Sequence, residues 1–228
     1  EVYSQDSRAC IENQGAWTAL DHGALVLRNE EGRSIQGGTP YAVLRNTDTR
    51  RAVAFHILPK GNWVIKLTAH TVGGDAFSAA CVELGLADEN LRFEMLPGET
   101  IELPEILFQP VPEGDPCRAA PALHRYLLDH HFAAAKTEAP MIYNTWFDGF
   151  DDLNVDRMRR QLSVAKELGC EIFMIDAGWY GQGKGGWAHQ TGDWREKTEV
   201  FFGKMKDYAD EVRAAGLGFG IWMEPERL

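Results

Sequence analysis

The stretch Glu171–Tyr180, EIFMIDAGWY, decides the fold. Ile172 to Ile175 form a short run that is apolar on both faces, the pattern of a strand covered on both sides, as in parallel sheets. The run ends on Asp176 and turns through Ala177 and Gly178 to Trp179. An acid and an indole at the C-terminal tip of such a strand sit where parallel α/β folds bind their ligands.

Working outward, MIYNTW at 141–146 reads as a preceding strand. Asn154 then caps a helix, VDRMRRQLSVAKEL, in which Val155, Met158, Leu162, Ala165 and Leu168 share a face and which stops at Gly169. On the far side comes a loop rich in Gly and Trp, then a helix over 202–215 ended by Gly216, then the strand GFGIWM. The order β-α-β-α-β predicts parallel neighbours, and either a doubly wound sheet or the opening of a (β/α)8 barrel satisfies it. Polar and aromatic groups follow each strand: Asn144, Trp146 and Asp148, then Asp176 and Trp179, then Glu224 and Glu226. Neither GxGxxG nor GxxxxGK[ST] follows any of them, which disfavours a nucleotide.

The first half has another rhythm. ALVLR, YAVLR, AVAFHIL, WVIKLTA, FSAACVEL, LRFEML and EILFQPV alternate with turn-rich separators from Trp17 to Phe108. This predicts about seven short strands of an antiparallel sandwich. VPEGDPC reads as a linker, and Leu123, Tyr126, Leu127 and His130 lie on one stripe of a helix over 121–132.

The formal charge is −11 in 228 residues, against any general attraction to nucleic acid or anionic membrane and in favour of a neutral partner. The four cysteines, Cys10, Cys81, Cys117 and Cys170, form neither CxxC pairs nor a dense framework, so free thiols and a cytoplasmic location are expected. No apolar run is long enough to span a bilayer, so no membrane association is expected. Of seven tryptophans, five lie beyond residue 140, a skew that suits the flat apolar faces of sugars.

Asp176 reads either as a loop cap or as a ligand-facing acid, and Trp179, Asp193 and Trp194 in the same loop favour the second. Carbohydrate sites combine such carboxylates, which accept from hydroxyls, with indoles that stack on the sugar. Glu224 and Glu226 flank Pro225 and serve either the rim of the sheet or a ligand. His130, His131 and His189 lack the spacing of a metal site, so no metal and no cofactor are expected. No GxSxG is present, and Cys170 opens an apolar strand rather than a nucleophile motif.

These motifs carry a resemblance. Asn144-Thr145-Trp146, Asp176-Ala177-Gly178-Trp179, Gly192-Asp193-Trp194 and Gly220-Ile221-Trp222-Met223-Glu224-Pro225-Glu226 follow the order and spacing of glycoside hydrolase family 36, the α-galactosidase or melibiase family. The segment LRFEMLPGETIELPEILFQ with the helix HRYLLDHHF is similar to the end of that family's N-terminal β-domain. The resemblance implies a multidomain α and β chain: 1–116 the later part of an antiparallel β-sandwich, 117–138 a linker helix, and 139–228 the first three βα units of a (β/α)8 (TIM) barrel.

It also implies retaining hydrolysis of terminal α-galactosides by two carboxylic acids at the ends of the fourth and sixth barrel strands, so no catalytic residue is expected within this chain. Asp176, Trp179, Trp146, Asp193, Trp194 and Glu224 are then the expected sugar-binding residues, and residues 1–228 alone are expected not to hydrolyse a galactoside. Related activities include an α-N-acetylgalactosaminidase and a galactosyl-transglycosylating enzyme. A non-catalytic carbohydrate-binding protein is the alternative of a different class. Ala177 departs from the family, which has a second Asp there, and is expected to alter specificity. The partner implied is a carbohydrate, and the family admits a homo-oligomer.

Overall fold

A computed structural model of the chain describes residues 1–8, 11–21, 23–30, 37–72, 77–89, 91–132 and 139–225. It falls into two units, Glu1–Lys136 and Thr137–Leu228.

In the first unit, strands β1 (Val2–Arg8), β2 (Ile11–Thr18), β3 (Ala24–Asn29), β4 (Tyr41–Arg45), β5 (Ala52–Leu58), β6 (Trp63–Val72), β7 (Phe77–Leu86) and β8 (Glu105–Val111) form two antiparallel sheets. Their orders are β2-β1-β4-β5-β8 and β3-β6-β7. Alternation along the strands decides what each face covers. Trp63, Ile65 and Leu67 of β6 are fully buried against Val2, Ala42 and Ile57 of the larger sheet, which makes the sandwich core. Val43 and Ala54 face the other way and pack with Val111 and with Ala119 of helix α1 (Pro116–His130).

The sandwich differs from expectation in three places. β1 and β2 precede the expected first strand; their polar sequences hide them, although β1 pairs on both sides and buries Val2 and Ser7. LRFEML is not a strand: residues 91–96 run without a sheet partner among the described residues, with Leu91, Phe93, Met95 and Leu96 exposed. The helix starts at Pro116, not Pro121, because Asp115 accepts from Cys117 N as its cap and Pro116 suits the first helical position. Residues 133–138 of the expected linker helix lie outside the described residues, as do Cys10 and Glu226.

The second unit is built on β9 (Ile142–Asn144), β10 (Ile172–Ile175) and β11 (Gly218–Ile221), a parallel sheet of order β11-β10-β9. The short helix α2 (Trp146–Gly149) and the longer α3 (Val155–Glu167) lie between β9 and β10. Asn154 caps α3 by accepting from Arg157 N at 3.0 Å. Met158, Leu162 and Ala165 of α3 meet Phe173 and Ile175 of β10 in the core, but Leu168 is exposed and Gln161 is buried in its stead. Leu168 caps the last turn, where the stripe has rotated off the sheet; the Gln161 amide instead reaches Asp148 Oδ2 at 2.7 Å.

Between β10 and β11 come α4 (Thr198–Phe201) and α5 (Met205–Ala214). The helix expected from residue 202 begins later because Phe202 adopts a left-handed conformation, φ 53°. Glu196 accepts from Met205 N and closes the start of α5. No described helix is long and apolar enough to cross a membrane.

Candidate functional site at the strand ends

The C-terminal ends of β9 and β10 are latched together by side chains. Beyond the last ladder pair, Thr145 N donates to Met174 O at 3.1 Å, and Thr145 Oγ1 accepts from Asp176 N at 3.0 Å. Asn144 Nδ2 donates to Asp176 Oδ2 at 2.7 Å, while Asn144 Oδ1 accepts from Trp146 N at 2.8 Å. Asp176 Oδ1 accepts from Ala177 N at 2.7 Å. An ionised carboxylate has about four acceptor positions, so a half-buried Asp176 with two N–H donors keeps capacity for hydroxyl groups.

The turn after Asp176 requires glycine. Gly178 has φ 98°, and a Cβ there would stand 2.4 Å from Asp151 O. Trp179 follows and is only 4% exposed; its Nε1 donates to Trp222 O at 2.8 Å, and its ring stacks on Trp194 at 6.2 Å. Its indole thus ties the end of β10 to the end of β11 from within the core, with no open face for a sugar among the described residues. Ala177 is equally enclosed, 1% exposed.

The loop from Tyr180 to Glu196 is closed at its base. Gly181 N donates to Arg195 O and Lys197 N to Trp179 O. Asp193 accepts from Gln182 N at 3.0 Å and from Arg195 Nε and Nη2 at 2.6 and 2.8 Å. The Arg195 guanidinium, helped by the Gln182 amide, holds the Asp193 carboxyl well below the usual carboxylate range. Asp193 is thereby occupied as a loop latch. Inside the loop Gln190 is buried, donates to Gly185 O, and leaves no room for a side chain at Gly181.

A contiguous aromatic group crosses the three strand ends. Trp187 meets the ring of Trp146 at 5.8 Å and that of Trp222 at 5.5 Å, both edge to face. Tyr180 stacks on Trp222 and crosses Trp194 at 4.7 Å. Trp146, Trp187, Trp194 and Trp222 are all half-buried, and the Asp151 carboxylate accepts from Trp187 N at 3.1 Å. Glu224 is buried, 7% exposed, and His189 lies exposed in a short 3-10 turn.

The structure therefore brings Asp176 and Trp146 together around Asn144, places Trp179, Ala177 and Glu224 in the interior, and engages Asp193 with Arg195. Trp187 and Trp222 were not singled out as site residues; a lone aromatic in a glycine-rich loop and the indole of the GIWMEPE motif were the available signals. Among the described residues no three His, Cys, Asp or Glu side chains are grouped as a metal would need. A groove of about 580 Å³, lined by Met141, Ile142, Tyr143, Phe147, Asp148 and Leu168, runs along the edge of β9. A larger cleft of about 1130 Å³, bordered by Arg45, Arg51 and Phe55, belongs to the sandwich and holds none of the strand-end residues.

Comparison with known proteins agrees with this architecture. The Melibiase family matches residues 118–228. The α-galactosidase Mel36A of Lactobacillus acidophilus is 28% identical over all of this chain, which spans 30% of that relative. The galactosidase domain of the α-galactosidase–sucrose kinase AgaSK superposes with a TM-score of 0.80 at 21% identity, covering 98% of this chain and 31% of the other. The family 36 α-galactosidase AgaA of Geobacillus stearothermophilus gives a TM-score of 0.79 at 20% identity, with the same two shares covered. Substituted forms of AgaA have been solved with stachyose and with raffinose. The chain spans about 30% of the length of the relatives it matches. Residues 118–228 thus match the melibiase family, and the whole chain, from the sandwich to the three parallel strands, has the fold of the corresponding part of family 36 α-galactosidases.

Proposed function

We propose that this chain supplies the sugar-holding strand ends of a retaining glycoside hydrolase that removes terminal α-linked galactose-type residues from oligosaccharides or glycoconjugates. The observation that carries the reading is Asp176: a carboxylate fixed by two N–H donors at the shared end of β9 and β10, with acceptor capacity left and the half-buried Trp146 beside it. Asp176 accepts from sugar hydroxyls, and Trp146 offers an apolar face to the ring. Trp179, Trp194 and Glu224 act from behind as the packed support of that surface, and Asp193 shapes the loop. The nucleophile and the acid/base are expected on later strands of the family barrel. One relative, AgaA, solved with raffinose and with stachyose, supports an oligosaccharide substrate. The free thiols of Cys81, Cys117 and Cys170 support a cytoplasmic location, and assembly as a homo-oligomer belongs to the same proposal.

Ala177 sets the glycone in this reading. The Ala177 methyl is enclosed and meets no sugar itself, so the difference lies in what is missing: the longer side chain of the family's second Asp would add a carboxylate next to Asp176, and losing a charged acceptor for a hydroxyl costs about 1.5 to 3 kcal/mol. Plain galactose is therefore held less tightly, and an altered or N-acetylated galactosyl unit is favoured. Titration of tryptophan fluorescence with methyl α-galactoside, methyl α-N-acetylgalactosaminide and methyl α-glucoside tests both statements. Galactose-type sugars are expected to bind in preference to the glucoside, and Ala177→Asp to shift the preference toward plain galactose. Equal binding of all three, or a preference unmoved by Ala177→Asp, overturns the respective statement.

A further inference from the structure

We propose that Asn144 and Thr145 are positioning residues that set the sugar-accepting face of Asp176 and couple it to Trp146. The proposal rests on the reading of Asp176 as the hydroxyl acceptor. Asn144 uses both ends of its amide: Nδ2 donates to Asp176 Oδ2 at 2.7 Å and Oδ1 accepts from Trp146 N at 2.8 Å. The facing carboxylate only accepts, so the amide orientation follows from chemistry. Thr145, 2% exposed, takes the Asp176 backbone N–H on Oγ1 at 3.0 Å and gives its own N–H to Met174 O at 3.1 Å. The Asp176 backbone is thus fixed by Thr145 and its carboxylate by Asn144 and by Ala177 N.

Two consequences follow. Asp176 cannot turn its remaining acceptor positions away without breaking a charge-assisted hydrogen bond, so it meets a hydroxyl already oriented and its rotamer freedom is not lost on binding. The same Asn144 side chain begins the turn that carries Trp146, so the distance between the hydrogen-bonding and stacking surfaces is set by one amide. A group that reaches only one of the two partners uncouples them. Asn144 and Asp176 are 32 residues apart in sequence, so the coupling belongs to the parallel register of β9 on β10.

A role confined to holding the strands together would cost stability and leave affinity per folded molecule unchanged. The purified protein and its Asn144→Leu, Thr145→Val and Thr145→Ser variants are compared by titration with methyl α-galactoside, by thermal melts, and by the NMR signal of the Asn144 side-chain amide. Asn144→Leu is expected to weaken binding about tenfold to a hundredfold, the effect of losing a hydrogen bond to a charged group. Thr145→Val is expected to weaken it and Thr145→Ser to restore it, because serine keeps the hydroxyl. The amide protons of Asn144 are expected to move upfield in Asp176→Leu, which removes their acceptor. Wild-type affinity in folded Asn144→Leu, or equal affinities of the valine and serine variants, overturns the proposal. If the unsubstituted protein binds no sugar, the functional reading falls, and an amide signal unmoved by Asp176→Leu then overturns the positioning as well.

Discussion

At the scale of single residues, the strand ends are governed by contacts too close or too distant in sequence for pattern reading. Gly178 is an example of closeness. With φ 98° and the Asp151 carbonyl 2.4 Å from where a Cβ would stand, Gly178→Ala must both strain its own backbone and push away the loop after β9. A loss of at least about 2 kcal/mol is expected, read from the urea midpoint of the protein. An unchanged midpoint would mean that the two loops are not packed as described.

The Asn144–Asp176 pair is an example of distance, since nothing in either local sequence announces the other. Asp176 itself was legible because an acid closing an apolar run is conspicuous. Trp179 was legible as an aromatic but not as a buried one, because its fate depends on a carbonyl 43 positions away.

At the scale of elements, features fixed by neighbours in the chain were read well. The Asn154 cap and the end of α3 near Gly169 need only the helix's own backbone, and the three apolar strands need only their composition. Errors arose where tertiary packing chose between equivalent patterns: Gln161 entered the core in place of Leu168, and LRFEML kept its alternation without finding a sheet. The loop from Tyr180 to Glu196 shows how an element without regular structure is held.

The Asp193 carboxyl is held below its unfolded pKa of about 3.9, so its stabilising contribution is present above that pH. It is lost as pH falls toward the folded value, where the native carboxylate takes up a proton that the unfolded chain has already bound. Amide exchange at Gln182, measured from pH 6 down to pH 3, is expected to gain an opening component in the most acid samples. Arg195→Gln is expected to raise opening already at pH 6 and to flatten its rise on acidification, because the folded pKa moves back toward the unfolded one. Unchanged opening at pH 6 with the same acid dependence in the variant would exclude the Arg195 pair as the latch.

At the scale of the molecule, two units of different logic share one chain. The sandwich balances its two sheets around Trp63, Ile65 and Leu67, and it was legible as a class from turn-separated short strands. The second unit presents three parallel strands of which β9 and β11 each keep one edge unpaired among the described residues. Closing such strands into a barrel requires further strands, and the hydrolytic acids of the family are expected on them. Residues 1–228 are therefore expected to release no 4-nitrophenol from its α-galactoside above the buffer rate. Sustained turnover that survives repurification would require a nucleophile among the residues described here.

The run from Leu91 to Leu103, without a sheet partner among the described residues, has a consequence for the fate of the protein in solution. Leu91, Phe93, Met95, Ile101 and Leu103 are exposed, and they are interrupted by Arg92, Glu94, Glu99 and Glu102. The run alternates from Leu91 to Met95 and again from Thr100 to Leu103, and the turn at Pro97 and Gly98, where Glu99 N donates to Leu96 O, divides it into two short pieces on which copies could stack as cross-β. Charges set between its apolar residues oppose that growth, since each added copy would bring like charges into register. At this arm the acidic excess that repels nucleic acid becomes a gatekeeper, separating a soluble chain from one that seeds its own aggregation.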